Sequence, residues 1–401
     1  MSRWPLVRLD EICEINPRIP RGQRFTADLA VSFVPMSAID EIGGKISQLE
    51  TRLYAEVAKG YTSFRNGDVL FAKITPCMEN GKVAVADGLE NGIGFGSTEF
   101  HVLRPSNNVL AEYVFYFIRQ PQFRRLAKAN FTGTAGQQRV PVSFLSSTQI
   151  SLPPLPKQRR IVDILNHANS IRRLRREALE KARAMIPALF GEMFGDPVTN
   201  PRGWPRKKLG DFSEARLGKM LDKKRQTGQY RKPYLRNINV QWGRLNLEEV
   251  LEMDFDMADR EIFRLRSGDL LICEGGAVGR AAIWQNELEE CYFQKALHRV
   301  RPDLDCAIPE YLLWCFWSLA QRGGLRDFTT HSTIAHLTGV KLKSLPIALP
   351  PLNLQEAFAE RISDIHALID QQERQLAKAD ELMNALMAKF FGNGTGLEAA
   401  A

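Results

Sequence analysis

Two short stretches in the first half of this chain hold the kinds of side chain that grip a polyanion. KITPCMENGK (73–82) places Lys73, Thr75, Asn80 and Lys82 around a turn. TGTAGQQRV (132–140) presents Thr132 and Thr134 among glycines, followed by Gln137, Gln138 and Arg139. Lysine, arginine, hydroxyls and backbone N–H groups donate to phosphate oxygens, while Gln, Asn and Arg can make two-point contacts with base edges. The second half carries its own set. YRKPYLRNIN (230–239) holds Arg231, Lys232, Tyr234, Arg236, Asn237 and Asn239, and FTTHSTIAH (328–336) holds His331, Ser332 and Thr333. GGAVGR (275–280) follows the strand-like LLICE and reads as a tight turn that delivers Arg280 to a surface. Any one of these loops alone is ordinary solvated surface. Polar loops in corresponding order in both halves point instead to a binding surface.

The charge agrees with that reading. A formal net charge of +8 and a pI near 9.2 suit a polyanionic partner. Catalytic signatures are missing: there is no G-x-x-x-x-G-K-[ST] phosphate loop. GIGFG (92–96) runs into the strand-like STEFHVLRP, whereas a dinucleotide loop should open a helix. No Asn-Pro-Pro-aromatic or Asp-Pro-Pro-aromatic motif of an amino-methyltransferase occurs, and PDLD (302–305) lacks the Glu-x-Lys of a nuclease. The six cysteines show no C-x-x-C spacing, and His331 and His336 do not make a metal set. The expectation is therefore no catalytic, metal or cofactor-binding residue in this chain. YLLWCFWSLA (311–320) is too short to span a bilayer, and MSRWPLVRLDEI lacks the apolar core of a signal peptide. A reduced, cytoplasmic protein without membrane contact is expected.

The elements that must position these loops come in two copies. LPPLPKQ (152–158) returns as LPPLNLQ (349–355), 197 residues on. WPLVRLDEI (4–12) returns as WPRKKLGDF (204–212), FRNGDVLFAK (64–73) as LRSGDLLICE (265–274), and LFGEMFG (189–195) as LMAKFFG (386–392). One long unit is used twice, which is the first thing to establish about such a chain. Each unit begins with strand-like alternations such as DVLFAKI and KVAVAD, broken by Gly, Pro and Asn, with helical segments between them. Two prolines then lead into a long helix.

Phe358, Ile362, Ile365, Ile369, Gln372, Leu376, Ala379, Met383 and Leu386 recur at alternating four- and three-residue steps, a coiled-coil seam. Asn353 with Glu356 suits a capping box at its start. The 197-residue shift gives Ile161, Leu165, Ala168, Arg172, Arg175, Leu179, Ala182, Ile186 and Leu189, a seam interrupted by two arginines. Lys157–Gly191 has nine Lys/Arg against three Asp/Glu, and Glu356–Gly392 has four against seven, so the two helices are matched in charge. Ile164, Ile171, Ala178 and Met185 add a second apolar stripe, which either widens the intramolecular core or docks a helix of another protein. Some thirty helical residues make a rod of roughly 50 Å. The expected architecture is α+β. Two globular domains (1–156 and 197–352) are separated by an antiparallel two-helix coiled coil (157–196 and 353–392) with internal pseudo-twofold symmetry, and 393–401 forms a tail or cloning scar.

With the LPPL-x-x-Q handovers, KITPCMENGK, TGTAGQQRV and HSTIAHLTGVKL in view, the chain resembles the specificity subunit of a type I restriction–modification system over residues 1–392. The resemblance implies two target recognition domains that read a bipartite sequence in double-stranded DNA, one half-site each. It also implies two adenine methyltransferase subunits as partners, with motor-nuclease subunits joining for restriction. S-adenosylmethionine and ATP with Mg would then sit on those partners, and this chain would hold no cofactor and catalyse nothing. A self-sufficient DNA-modifying enzyme carrying related recognition domains is the alternative. The two halves differ most between Leu53 and Leu103 and between Leu251 and Val300, which implies unlike half-sites and an asymmetric target.

Overall fold

Each LPPL phrase hands the chain to a helix of 40 residues, Leu155–Phe194 and Leu352–Phe391. The second proline supplies the carbonyl that closes the first turn. Pro154 O accepts from Lys157 N at 2.8 Å and from Gln158 N at 3.1 Å, and Pro351 O accepts from Leu354 N at 3.0 Å and from Gln355 N at 3.3 Å. Both helices thus begin ahead of the expected 157 and 353. Asn353 lies inside the first turn, so it does not act as the expected cap for Glu356.

The glutamine three positions on explains why the phrase occurs twice. Gln158 is fully buried, and its Nε2 donates to Pro153 O at 2.8 Å and to Asn108 O at 3.0 Å, while its Oε1 accepts from Leu110 N at 2.9 Å. Gln355 repeats all three bonds with Pro350 O, Cys306 O and Ile308 N. One amide ties the proline turn, the long helix and the loop entering the domain's own helix. Removing it would leave the buried proline carbonyl without its partner, at a cost of about 1–3 kcal/mol, and would loosen two bonds nearer the surface.

The computed structural model describes residues 4–20, 25–134, 136–222, 226–329 and 335–392. They fall into two compact units, Met1–Ala178 with Gln372–Ala401, and Leu179–Gln371. Each unit therefore contains part of both long helices.

In the first unit a four-stranded sheet runs in the order Cys13–Ile15, Phe100–Pro105, Val69–Ala72, Val83–Val85. A second sheet joins Glu50–Leu53, Ala30–Val34, Ile93–Gly96 and Thr62–Arg65, with Ala30–Val34 and Ile93–Gly96 parallel. Strand Leu6–Arg8 pairs with Gln149–Ser151, the strand just before the two prolines. The core gathers Ala111–Arg119 and Pro121–Ala129 onto the first sheet and takes Val162, Leu165 and Ala168 from the first long helix. It also takes Met383, Met387 and Phe391 from the far end of the second. The start of one helix beside the end of the other makes the pair antiparallel. Phe391 is nearly fully buried, 5.1 Å from Tyr113 and 5.9 Å from Phe117 between ring centroids.

The second unit repeats this plan. Ser213–Leu217, Leu297–Pro302, Leu270–Cys273 and Ala281–Ile283 form its four-stranded sheet. Leu251–Asp254, Arg231–Leu235 and Tyr292–Phe293 form its second sheet, again with one parallel pair. Its core packs Pro309–Gln321 with Ile186, Phe190 and Phe194 from the end of the first long helix, and with Phe358, Ile362 and Ile365 from the start of the second. Phe194 stands 4.9 Å from Tyr311 and 5.3 Å from Phe358.

The arginine break in the first seam has a physical account in the first unit. Arg172 Nε donates to Asp380 Oδ1 at 2.6 Å on the opposing helix, whereas Arg175, expected in the seam, is exposed. The second stripe does not widen the core. Ile171 is 45% exposed in the first unit and Met185 is 46% exposed in the second, while Ile164 and Ala178 are half-buried.

Because Phe391 completes the core of a domain more than 200 residues upstream, Phe391→Ala should cost about 3–5 kcal/mol, with the first unit unfolding before the second. Urea unfolding followed by domain-resolved hydrogen exchange checks this; a change below about 1 kcal/mol would mean that the helix end only leans on the domain.

Candidate nucleic-acid interface

The central strand Val69–Ala72 of the first unit runs straight into Lys73, and the next turn closes on itself through Met78 N to Ile74 O and Asn80 N to Pro76 O, both 2.9 Å. Met78 anchors it in the core. The 132–140 segment folds back through two mutual backbone bonds of 2.9 Å between Thr132 and Arg139. It then docks on the first loop: Val140 N donates to Lys73 O at 2.9 Å and Thr75 N to Gln138 O at 3.0 Å. Two stretches some sixty residues apart in sequence thus form one surface.

Within that surface the side chains divide. Asn80, Thr132, Thr134 and Gln137 are exposed, and Lys73, Thr75, Lys82 and Gln138 are half-buried. Three of the expected contacts have intramolecular work. Arg139 clamps Glu99 through Nε to Oε2 at 2.9 Å and Nη2 to Oε1 at 2.7 Å, Lys82 Nζ donates to Met36 O at 3.1 Å, and Thr75 Oγ1 donates to Glu79 Oε1 at 2.6 Å. The hydrogen bonds from Arg139 hold the Glu99 carboxyl below its ordinary range, with burial opposing. Arg139 is therefore first a loop clamp. Deep behind the loops, His101 Nε2 donates to Val140 O at 2.8 Å, and burial lowers its pKa, so the ring is kept neutral as a structural strut.

In the second unit the central bond of this junction recurs, with its adjacent bridge and its histidine. Leu337 N donates to Glu274 O at 2.8 Å, Gly275 pairs with His336, and His298 Nε2 donates to Leu337 O at 2.8 Å. GGAVGR forms the turn of the antiparallel hairpin between Leu270–Cys273 and Ala281–Ile283, with Arg280 N donating to Ala277 O at 3.0 Å. Arg280 Nη2 reaches Asn237 O at 2.8 Å, and Asn237 Nδ2 reaches Gly275 O at 3.0 Å, so Asn237 and Arg280 meet at this turn, while Arg236 pairs with Glu249 at 3.2 Å. Donor and acceptor capacity is left over, since Arg236 Nε, Arg280 Nε and Asn237 Oδ1 are buried without a hydrogen-bond partner.

Other expectations for this half are corrected. Tyr234 is 3% exposed and packs with Phe255 and Tyr292, because its position on Arg231–Leu235 faces the sheet's core. Asn239 is 2% exposed, and its Nδ2 is spent on Asn246 O and Glu249 O. Lys232 pairs with Glu290, while Arg231 is exposed. His331, Ser332 and Thr333 lie outside the described residues. Sequence reasoning missed Asp254, whose carboxylate accepts from the N–H groups of Thr227, Gly228 and Tyr230 and fixes the loop ahead of Arg231. Burial alone would raise its pKa, but these bonds hold it below the ordinary value. The DFD of LEMDFDM (251–257) gave no motif to notice.

Similarity to known proteins bears on this doubled arrangement. The family model described as the type I restriction modification DNA specificity domain matches residues 1–181 and 201–380. The chain belongs to this family. It is 35% identical over 195 residues to the type I restriction enzyme EcoAI specificity subunit of Escherichia coli, covering 47% of this chain and 33% of that protein. Over 160 residues it is 41% identical to the EcoEI specificity subunit of the same species, covering 40% and 26%. These matches span a third or less of the relatives' length. A longer match, 24% identical over 313 residues, covers 72% of this chain and 67% of the EcoKI specificity subunit of strain K12. The fold itself is shared with a solved type I R-M chain at a TM-score of 0.63 and 24% identity, covering 96% of this chain and 97% of that one. Among the described residues of this specificity-domain protein, no helix is long and apolar enough to cross a membrane, and no group of three or more His, Cys, Asp or Glu could hold a metal.

The Arg139–Glu99 clamp has a definite pH dependence. The folded-state pKa of Glu99 is depressed, so its contribution is complete above the unfolded value of about 4.3 and fades as pH falls through the folded value. Amide protection at Thr132 and Arg139 should therefore be flat from pH 7 to 5 and decline as pH falls below the unfolded value of about 4.3, and Glu99→Gln should abolish the dependence. Hydrogen exchange measured across that range decides it; protection unchanged at low pH would show the clamp to be incidental.

Proposed function

We propose that this chain reads a bipartite, asymmetric sequence in double-stranded DNA as the specificity subunit of a type I restriction–modification complex. Each unit takes one half-site. The observation that carries this reading is the shared loop junction: the bond from Val140 N to Lys73 O recurs as that from Leu337 N to Glu274 O, yet the side chains beside it differ. Lys73 stands where the second unit has Glu274, and Arg139 where it has His336. A common frame with unlike side chains is what two different half-sites require. Shape and backbone contacts add to such readout at bases that are never touched.

Two adenine methyltransferase subunits are the partners we assign, with the exposed Ile171 and Met185 of the second stripe, flanked by Ile164 and Ala178, as part of their docking surface. Motor-nuclease subunits join for restriction. S-adenosylmethionine and ATP with Mg belong to those partners, and the assembly acts in the cytoplasm.

Alanine at Asn80 and Gln137 should weaken binding at one half-site, and alanine at Asn237 and Arg280 at the other, by about 1–3 kcal/mol for each two-point contact. Titrating the assembled complex against duplexes mutated in one half-site at a time separates the two. If either set weakened both half-sites equally, one unit per half-site would be wrong. Methyl transfer from labelled S-adenosylmethionine by the purified chain alone would favour the self-sufficient enzyme instead.

The long helices make a second test. One heptad inserted at matched points in both should lengthen the unread gap and leave the half-sites unchanged, as methylation mapping would show. Altered half-sites would refute a spacer role.

A further inference from the structure

The arginine that breaks the first helix's seam borders a cavity of about 180 Å³ inside the first unit. Four guanidinium groups line it: Arg119 and Arg124 from the domain's own helices, and Arg172 and Arg176 from the first long helix. Phe115 and Met387 close its apolar side. The Glu41 side chain also lines the cavity, so the four cations face one lining carboxylate, and the other acidic side chains nearby are already paired. Asp380 pairs with Arg172 at 2.6 Å, the Glu79 carboxylate takes Thr75 and Lys128, and Asp40 accepts from the backbone N–H groups of Ile42 and Gly43.

The arginines are held rather than merely near. Arg119 Nη2 donates to Glu41 O at 3.0 Å and to Ile42 O at 2.6 Å, and Arg124 Nη1 donates to Glu79 O at 3.0 Å. Gly44 has a φ of +69°, and a Cβ there would come within 1.8 Å of Arg119 Nη1, so only glycine leaves room for the guanidinium. Yet Arg119 Nη1 and Arg124 Nε are buried with no hydrogen-bond partner. Burial first, and then Arg172 and Arg124, push the Arg119 pKa down to about 10, which still leaves it cationic at neutral pH. Buried donors on converging like charges are costly unless an acceptor of opposite charge joins them.

We propose that this cavity is an anion site that takes a compact oxyanion of the phosphate class, free or on a small metabolite, and thereby ties the first domain to the first long helix. Guanidinium forks match the geometry of phosphate oxygens. The volume is below the ~300–1,000 Å³ of clefts for larger ligands, which favours one tetrahedral anion with water. Four arginines lining one small cavity also differ from a duplex surface, where phosphates are met singly along a strand. The site is no part of the duplicated frame. A 197-residue shift places Phe316 at Arg119 and Ile369 at Arg172.

The test uses the full chain and inorganic phosphate, with ionic strength held constant by chloride. Calorimetry should show one site, and phosphate should raise the melting temperature of the wild-type chain. Arg176→Gln is the chief variant, because Arg176 makes no hydrogen bond among the described residues and its loss should leave the fold intact. It should weaken phosphate at least tenfold, and Arg119→Lys should do the same if it folds. Affinity for duplex DNA, and its salt dependence, should not change in Arg176→Gln. No phosphate effect beyond chloride, or equal phosphate binding by Arg176→Gln, overturns the proposal. So does a loss of DNA affinity with a shallower salt slope, which would assign the arginines to a DNA phosphate.

Discussion

A fully buried side-chain amide needs hydrogen-bond partners within the protein, and Gln158 and Gln355 find the same three. Their bonds fix the direction in which each long helix leaves its domain. The far ends of the same helices are core elements as well: Met383, Met387 and Phe391 enter the first unit, and Ile186, Phe190 and Phe194 enter the second.

The helix pair is consequently not an appendage. Each domain would expose a large aromatic gap if the helix end contributed by the other half were removed, so stability and the joining of the two halves are one energetic problem. The loop junctions show the same economy. Carbonyls at Val140 and Leu337, each held by a neutral buried histidine, belong to residues whose N–H groups bond the carbonyls of Lys73 and Glu274. With the frame so tightly specified by backbone and core, the exposed side chains can vary without disturbing it. That is the condition for a recognition surface whose preference changes while its scaffold persists.

Much of this was legible beforehand. The duplicated LPPL-x-x-Q phrase, the seam from Phe358 to Met383 and the charge contrast between the helices gave the two-fold plan, because periodic burial writes itself into periodic sequence. Single residues were less legible. Tyr234 and Asn239 looked like exposed polar contacts, yet strand alternation turned one into the core and a turn consumed the amide of the other. Arg139 resembled a free base-reader and proved to be clamped by Glu99, forty positions away. At the seam's ends, Phe190 and Met387 are buried where a strict heptad favours Leu189 and Leu386, because a straight helix turns every 3.6 residues and drifts from a 3.5-residue pattern.

The sequence by itself determined the repeat, the helices and the polar character of the loops, since these are local properties of composition and spacing. Only the tertiary structure decided which loops meet, which cations are neutralised within the fold and where four arginines converge. Those outcomes depend on pairings between residues tens to hundreds of positions apart, and no local pattern encodes the partner of a charge.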